Sequence, residues 1–207
     1  MQRRILVFVC LLFLVGCHHE VAHLNRSEGP VVILGDSLAA GTGAAPGEGF
    51  VDLLEQRLGV EIVNRGVPGN TTAQGLARLE RDVLRLKPAL VIVELGGNDV
   101  LQKVDPQQTF ANLEKIIEAI QANDVPVLLL GIRGGLVKDR FASEFRRLAR
   151  AKQAALVENI MEGVLTQPGL KADPIHPNAA GYRVLADRVE PTLKRLLQQI
   201  GKLPEGE

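Results

Sequence analysis

The chain has 207 residues, of which 46% are hydrophobic, and its 24 basic and 24 acidic side chains give a formal net charge of zero. This length suits one globular domain with a substantial core better than two. Neither sign of charge is concentrated in one half, which argues against a nucleic-acid partner and against a disordered acidic tail.

The first 16 residues have the pattern of a secretion signal. Arg3 and Arg4 precede an uninterrupted apolar run from Ile5 to Val15, which is shorter than the ~20 apolar residues of a membrane-spanning helix. The run ends in Leu14-Val15-Gly16-Cys17, which resembles the lipobox of bacterial lipoproteins. We therefore predict a signal peptide at residues 1–16 and a lipid on Cys17. The alternatives are an ordinary secretory signal and an uncleaved apolar anchor.

Residues 17–29 show no apolar periodicity, and we predict that they form a tether to a domain at residues 30–207. His18, His19 and His23 lie in this segment. They could bind a metal, but nothing in the pattern fixes a coordination geometry. We expect a solvated linker.

From Pro30 onward, short β-branched runs alternate with helical patterns, which is typical of βαβ units around a parallel sheet. We therefore predict a small doubly wound α/β fold. The five predicted strands are Val31–Gly35, Glu61–Asn64, Leu90–Leu95, Val127–Gly131 and a weaker one at Ala154–Val157.

Apolar residues at helical spacing predict three amphipathic helices. The clearest spans Pro106–Ala122, with Asp105 as the expected N-cap. Another contains Leu76 to Leu86 and must end before Pro88. The last runs from about Asn178 to Ile200.

Candidate site residues follow these strands. Ser37 comes after the first strand, Gly69 lies in the loop after the second and Asn98 follows the third. Asp173 and His176 lie in the loop before the last helix. Because ligands of open α/β sheets bind at the carboxyl ends of the strands, we expect these residues to meet at one edge.

Ser37 is a candidate nucleophile because it ends a tight turn after a buried-strand pattern. A serine hydroxyl needs a base within hydrogen-bond reach, and His176 is the only histidine outside the predicted tether. Asp173 could orient the imidazole, as in a Ser-His-Asp triad. A structural histidine is one alternative. A metal site is another, but it is weak because the domain has no further His or Cys.

Acyl transfer also requires hydrogen-bond donors aimed at the oxyanion. The backbone N–H groups of Ser37 and Gly69 and the side-chain amide of Asn98 are candidates. Taken singly, Gly69 is equally well explained as a turn glycine after Pro68, and Asn98 as a loop residue.

Four sequence blocks, in order, resemble the SGNH hydrolases, also called GDSL esterases and lipases, and within them the bacterial thioesterase I/lysophospholipase and arylesterase group. The blocks are Gly35-Asp36-Ser37-Leu38, Gly69-Asn70-Thr71-Thr72, Gly96-Gly97-Asn98-Asp99 and Asp173-Pro174-Ile175-His176. The resemblance covers about residues 31–200. Gly66 is a second glycine near the second block, but the residues after Gly69 align better with the family.

This resemblance implies a flavodoxin-like, three-layer α/β/α sandwich around a five-stranded parallel sheet. It implies that Ser37 is the nucleophile and that His176 is the base, oriented by Asp173. It also implies an oxyanion hole made by Ser37, Gly69 and Asn98.

The functional hypothesis is a serine esterase that hydrolyses ester or thioester bonds of acyl substrates, such as lysophospholipids and small aryl esters, without a cofactor or metal. One alternative is a carbohydrate O-acetyl esterase, against which the 3% aromatic content argues. The other is a non-catalytic, lipid-binding envelope lipoprotein on the same scaffold. We expect a periplasmic protein with a lipid anchor, in the outer membrane rather than the inner, because His18 replaces the aspartate common in inner-membrane lipoproteins.

Overall fold

A five-stranded parallel sheet forms the centre of the computed structural model, which describes residues 20–132 and 140–204. The order of strands across the sheet is β2-β1-β3-β4-β5. Every residue of β1, β3 and β4 is buried, as expected for apolar strands covered on both faces. The strands are β1 Val31–Gly35, β2 Ile62–Gly66, β3 Leu90–Glu94, β4 Val127–Leu130 and β5 Ala155–Val157.

Helices cover both faces of this sheet and make it a three-layer α/β/α sandwich. On one face α1 and α6 pack against Val31 and Ile33, and on the other α2, α4 and α5 pack against Val32 and Leu34. The alternation along β1 follows from the two-residue repeat of a strand. The helices are α1 Phe50–Leu58, α2 Thr72–Asp82, α3 Gly97–Leu101, α4 Pro106–Gln121, α5 Arg140–Ala151 and α6 Ala179–Gln199, with 3₁₀ turns at Leu84–Leu86 and Pro168–Leu170.

The predicted α/β fold with five parallel strands is confirmed, and every strand except β1 differs from its predicted bounds by one or two residues at one or both ends. The predicted N-cap is also found, since the Asp105 carboxylate accepts the Gln107 N–H at 2.9 Å. The helix predicted from Leu76 to Leu86 is divided, because Val83 leaves helical geometry and a 3₁₀ turn follows. Helices α1, α3 and α5 were not among the predicted helices.

Residues 20–30 run along the amino-terminal edge of the sheet. The Ala22 N–H donates to the carbonyl of Gln153 at 2.8 Å, and His23 Nδ1 lies 3.2 Å from a carboxylate oxygen of Asp124. Further along, the Ala89 N–H donates to the Pro30 carbonyl at 2.8 Å. Gln153, Asp124 and Ala89 lie one to three residues before the first residues of β5, β4 and β3. This segment, called the belt below, therefore passes the amino ends of three strands before it enters β1.

The belt includes the described part of the predicted tether. Val21 and Leu24 pack against the core on the α6 side. The predicted signal peptide, Cys17, His18 and His19 lie outside the described residues. Within the described ranges, no helix has both the length and the hydropathy needed to cross a bilayer.

Candidate active site

Ser37 lies at the carboxyl end of β1, where the chain turns sharply. The Asp36 carboxylate accepts the Leu38 N–H at 3.0 Å, and the Asp36 carbonyl accepts the Ala40 N–H at 3.1 Å. The Thr42 N–H closes the turn on the Ser37 carbonyl at 3.0 Å. Ser37 itself is half-buried, so its hydroxyl is presented at the edge of the sheet from a firmly bonded turn.

His176 and Asp173 meet Ser37 from the loop before α6. His176 Nε2 lies 3.1 Å from Ser37 Oγ, and His176 Nδ1 lies 2.7 Å from an oxygen of Asp173. A carboxylate can only accept, so the proton of a neutral imidazole stands on Nδ1 and the Nε2 lone pair faces the serine hydroxyl. The three side chains therefore form one continuous hydrogen-bonded line.

The Asp173 carboxylate is held by its own loop. One oxygen accepts the backbone N–H groups of Ile175 and His176, both at 2.8 Å, and the other accepts from the imidazole. The hydrogen bond from His176 is the largest cause that lowers the pKa of Asp173 to about 2, and the backbone N–H groups lower it further. Asp173 is therefore an anion near neutral pH. A negative charge at this position stabilises the imidazole when it gains a proton.

Asn98, the second residue of α3, points its amide into the same site. Its Nδ2 donates to a carboxylate oxygen of Asp36 at 2.9 Å and to the Asn70 carbonyl at 3.1 Å. Both amide hydrogens are therefore engaged. The backbone N–H groups of Ser37 and Gly69 have no protein acceptor among the residues that the structure describes.

Gly69 lies in a tight turn after β2. The Asn70 N–H bonds the Val67 carbonyl at 3.1 Å, Pro68 occupies the second turn position and Gly69, with φ of +82°, the third. A positive φ at this position favours glycine, with proline before it. The conformation of Gly69 is therefore that of a turn glycine. The next residue, Asn70, is the one whose carbonyl contacts the Asn98 side chain.

Glu94, which was not among the predicted site residues, supports the turn that carries Ser37. Its Oε2 accepts the N–H groups of Asp36 and Ala39 at 3.1 and 3.3 Å, and the residue is completely buried. Burial, followed by the negative charge of Asp36, raises the pKa of Glu94 well above its ordinary value. Since two adjacent buried carboxyls cannot both ionise at low cost, we conclude that Glu94 is the protonated one. An acidic residue that ends an apolar strand is the signal that could have found it.

Arg78 is a second supporting residue that the sequence analysis missed. It is buried on α2, and its guanidinium donates to the Gly35 carbonyl at 2.9 Å and to the Asn70 side chain at 2.8 Å. It therefore ties the end of β1 to the Gly69 turn. An arginine on the inward face of an amphipathic helix was the available signal.

A cavity of about 500 Å³ opens beside Ser37, Asn98 and His176. Its volume is within the range of small-molecule sites. Its remaining walls are largely aliphatic, and three exposed side chains, Leu101, Leu165 and Ile175, lie on its rim. The other apolar lining residues are Leu38, Val100, Ile132 and Met161.

All five predicted site residues thus lie at the carboxyl edge of the sheet, and the structure places His176 in direct contact with both Ser37 and Asp173. No group of three or more His, Cys, Asp or Glu side chains that could hold a metal occurs within residues 20–132 and 140–204.

Comparison with known proteins gives consistent similarities. Residues 33–184 match the model of the GDSL-like Lipase/Acylhydrolase family. The chain is 39% identical over 198 residues to the esterase TesA of Pseudomonas aeruginosa, covering 90% of this chain and 98% of the relative. It is 34% identical over 175 residues to the thioesterase 1/protease 1/lysophospholipase L1 of Escherichia coli K12, covering 81% and 84%. A crystal structure of TesA matches with a TM-score of 0.76 and 38% identity, covering 81% of this chain and 99% of the other.

Proposed function

This chain belongs to the GDSL-like lipase/acylhydrolase family of esterases, and from that premise we propose that it is a serine esterase that uses Ser37, His176 and Asp173 as its catalytic triad. The observation that carries the proposal is the line of contacts from Ser37 Oγ to His176 Nε2 at 3.1 Å and from His176 Nδ1 to Asp173 at 2.7 Å. These are the contacts that activation of a serine by a general base requires.

The reaction proceeds in two halves. His176 Nε2 takes the hydroxyl proton as Ser37 Oγ attacks the acyl carbonyl carbon, and the protonated imidazole then gives that proton to the leaving oxygen or sulfur. The product is an ester between Ser37 and the acyl group. In the second half a water molecule loses its proton to Nε2 as its oxygen attacks the carbonyl carbon of that ester. The imidazolium then gives this proton to Ser37 Oγ as the bond to the acyl group breaks, which releases the carboxylic acid and the free serine. Asp173 stabilises the imidazolium formed in each half.

The oxyanion hole in this proposal consists of the N–H groups of Ser37 and Gly69 and the amide of Asn98. The two backbone donors are unpaired within the described part of the chain. The Asn98 amide is occupied by Asp36 and Asn70, so the oxyanion takes the place of the Asn70 carbonyl, at 3.1 Å the longer of its two contacts. The bond to Asp36 keeps the amide oriented during this exchange.

Replacing Asn98 by alanine is expected to lower kcat for a p-nitrophenyl ester by roughly 100- to 1000-fold, with little change in KM. The reason is that an oxyanion donor acts in the transition state more than in substrate binding. Steady-state kinetics over a range of ester concentrations measures both constants.

The matched control for that change is Asn123→Ala. Asn123 is exposed at the opposite edge of the sheet, where its amide donates to the Ala119 carbonyl. Its replacement should leave kcat within about 2-fold, since it removes only one exposed hydrogen bond. Similar losses in both variants would argue against an oxyanion role for Asn98.

The cavity supports an acyl chain as the part of the substrate that the enzyme binds. Aliphatic side chains provide most of its lining, with Asn159, Glu162 and Thr166 as further polar lining residues. Each methylene of a substrate buried against the aliphatic part would contribute about 0.8 kcal/mol. Esters and thioesters of medium-chain acids, including lysophospholipids and aryl esters, fit this description.

A series of p-nitrophenyl esters from acetate to palmitate tests this function. We expect kcat/KM to rise from acetate to a medium chain length, because each added methylene finds aliphatic wall, and to fall once the chain outgrows the cavity. An optimum at acetate would favour the carbohydrate O-acetyl esterase instead. No hydrolysis of any ester by folded protein would favour the non-catalytic lipoprotein.

We also propose that a lipid on Cys17 anchors the enzyme in the cell envelope, on the periplasmic side. The support is the lipobox-like stretch Leu14-Val15-Gly16-Cys17 at the end of the apolar run. Only two residues, His18 and His19, separate Cys17 from the described part of the chain, so the domain would sit close to the membrane.

A further inference from the structure

The belt and the candidate active site lie at opposite edges of the sheet. Belt contacts are made to Gln153, Asp124 and Ala89, each of which lies within three residues before a strand. Ser37 and Asn98, by contrast, follow β1 and β3. Because all five strands are parallel, the amino ends share one edge and the carboxyl ends the other.

The distance between these edges exceeds what the free part of the tether can span. The five residues of β1 extend for ~16 Å, and the loops that carry the site add to this height. Between Cys17 and Glu20 the chain covers at most ~10 Å even when fully extended. A lipid on Cys17 would therefore hold the membrane beside the belt.

The two edges also differ in character. At the belt edge, Val21 and Leu24 are turned onto the protein core. The exposed residues near the belt contacts include charged side chains of both signs, Arg85, Lys87, Arg150 and Asp124, and contain no large apolar side chain among the described residues. Such a polar edge suits the headgroup layer of a bilayer, whereas the exposed aliphatic side chains Leu101, Leu165 and Ile175 surround the cavity at the other edge.

We propose that the amino-terminal edge of the sheet, covered by the belt, is the surface that faces the phospholipid bilayer, so that the cavity opens away from the membrane that carries the anchor. The enzyme then takes its acyl substrate from the aqueous phase and not from its own bilayer. This inference rests on the proposed esterase activity and on the proposed lipid anchor.

The test uses the full-length lipidated protein reconstituted into vesicles of phosphatidylethanolamine and phosphatidylglycerol. Hydrolysis is measured for water-soluble p-nitrophenyl butyrate and for a long-chain fluorogenic ester confined to the host bilayer. A second form carries about 30 inserted Gly and Ser residues after His19, which have a root-mean-square span of ~30 Å and free the domain to turn over.

We expect the two forms to hydrolyse the soluble ester at the same rate, and the long-linker form to hydrolyse the bilayer ester at least 10-fold faster than the natural form. Equal rates on the bilayer ester, whether high or low, would overturn the proposed orientation. Soluble ester left intact by both forms would instead show that the esterase function is wrong. Flotation of the vesicles tests the anchor, with a form that starts at His18, and so lacks Cys17, as the control. If neither the full-length chain nor this control floated with the vesicles, the lipid anchor and the proposed orientation would both be refuted.

Discussion

The Ser37→Ala variant is expected to lose about 10⁴- to 10⁶-fold in kcat for p-nitrophenyl esters. Without Oγ the acyl-enzyme cannot form, and the imidazole of His176 retains no hydroxyl to activate. The donors proposed for the oxyanion remain, so a small residual rate above the reaction in water is also expected. The release of p-nitrophenol in a continuous absorbance assay measures the loss.

Two controls distinguish this loss of activity from damage to the fold. Ser27→Ala, which removes the hydroxyl that accepts the Gly29 N–H in the belt, should leave kcat within about 2-fold. Thermal unfolding of Ser37→Ala should stay within a few degrees of the natural protein, because only a half-buried hydroxyl is removed. Full esterase turnover by Ser37→Ala would exclude Ser37 as the nucleophile.

The His176→Ala variant is expected to lower kcat to a similar extent, again about 10⁴- to 10⁶-fold, because the serine hydroxyl then has no base within reach. The structure contains a natural control, since His23 and Asp124 form a second His–Asp contact at the belt edge, at 3.2 Å compared with 2.7 Å for His176 and Asp173. His23→Ala removes the same side chain from a pair that has no serine beside it.

We expect His23→Ala to keep kcat within about 2-fold, because a solvent-accessible His–Asp contact far from Ser37 contributes little to stability. The comparison uses the same ester at saturating concentration for both variants. A loss of similar size in both variants would mean that removal of either histidine disturbs the fold. A His176→Ala variant with more than a tenth of the natural kcat would exclude it as the base.

The support beneath Ser37 explains how the site is held. Glu94 and Arg78 both bond the end of β1 or the turn that follows it, and both are buried. A neutral Glu94 can bond the serine turn without placing a second negative charge beside Asp36. Positions of this kind carry only a weak local signal, a charged residue in an apolar pattern, because their role depends on partners far along the chain.

Short sequence patterns predicted the strands and helices that bury apolar side chains in the core. The apolar runs of β1, β3 and β4 stood out because strands covered on both faces lack polar alternation. The start of α4 was predictable because an Asp N-cap and a Pro at the first position act within one turn. By contrast, α3 has five residues, too few to show a helical period.

What the sequence by itself determined is the order of the strands along the chain and the residue types that follow them, since each signal spans only a few neighbouring residues. It therefore indicated which edge of the sheet would carry Ser37, Asn98, Asp173 and His176. Only the tertiary structure decided that Ser37 and His176, 139 positions apart, lie 3.1 Å from each other, and that Glu94 bonds the backbone of Asp36 58 positions before it. The tertiary structure alone also decided that the belt passes along the amino ends of the strands. Such contacts depend on how whole helices and strands pack together, and no local pattern encodes that packing.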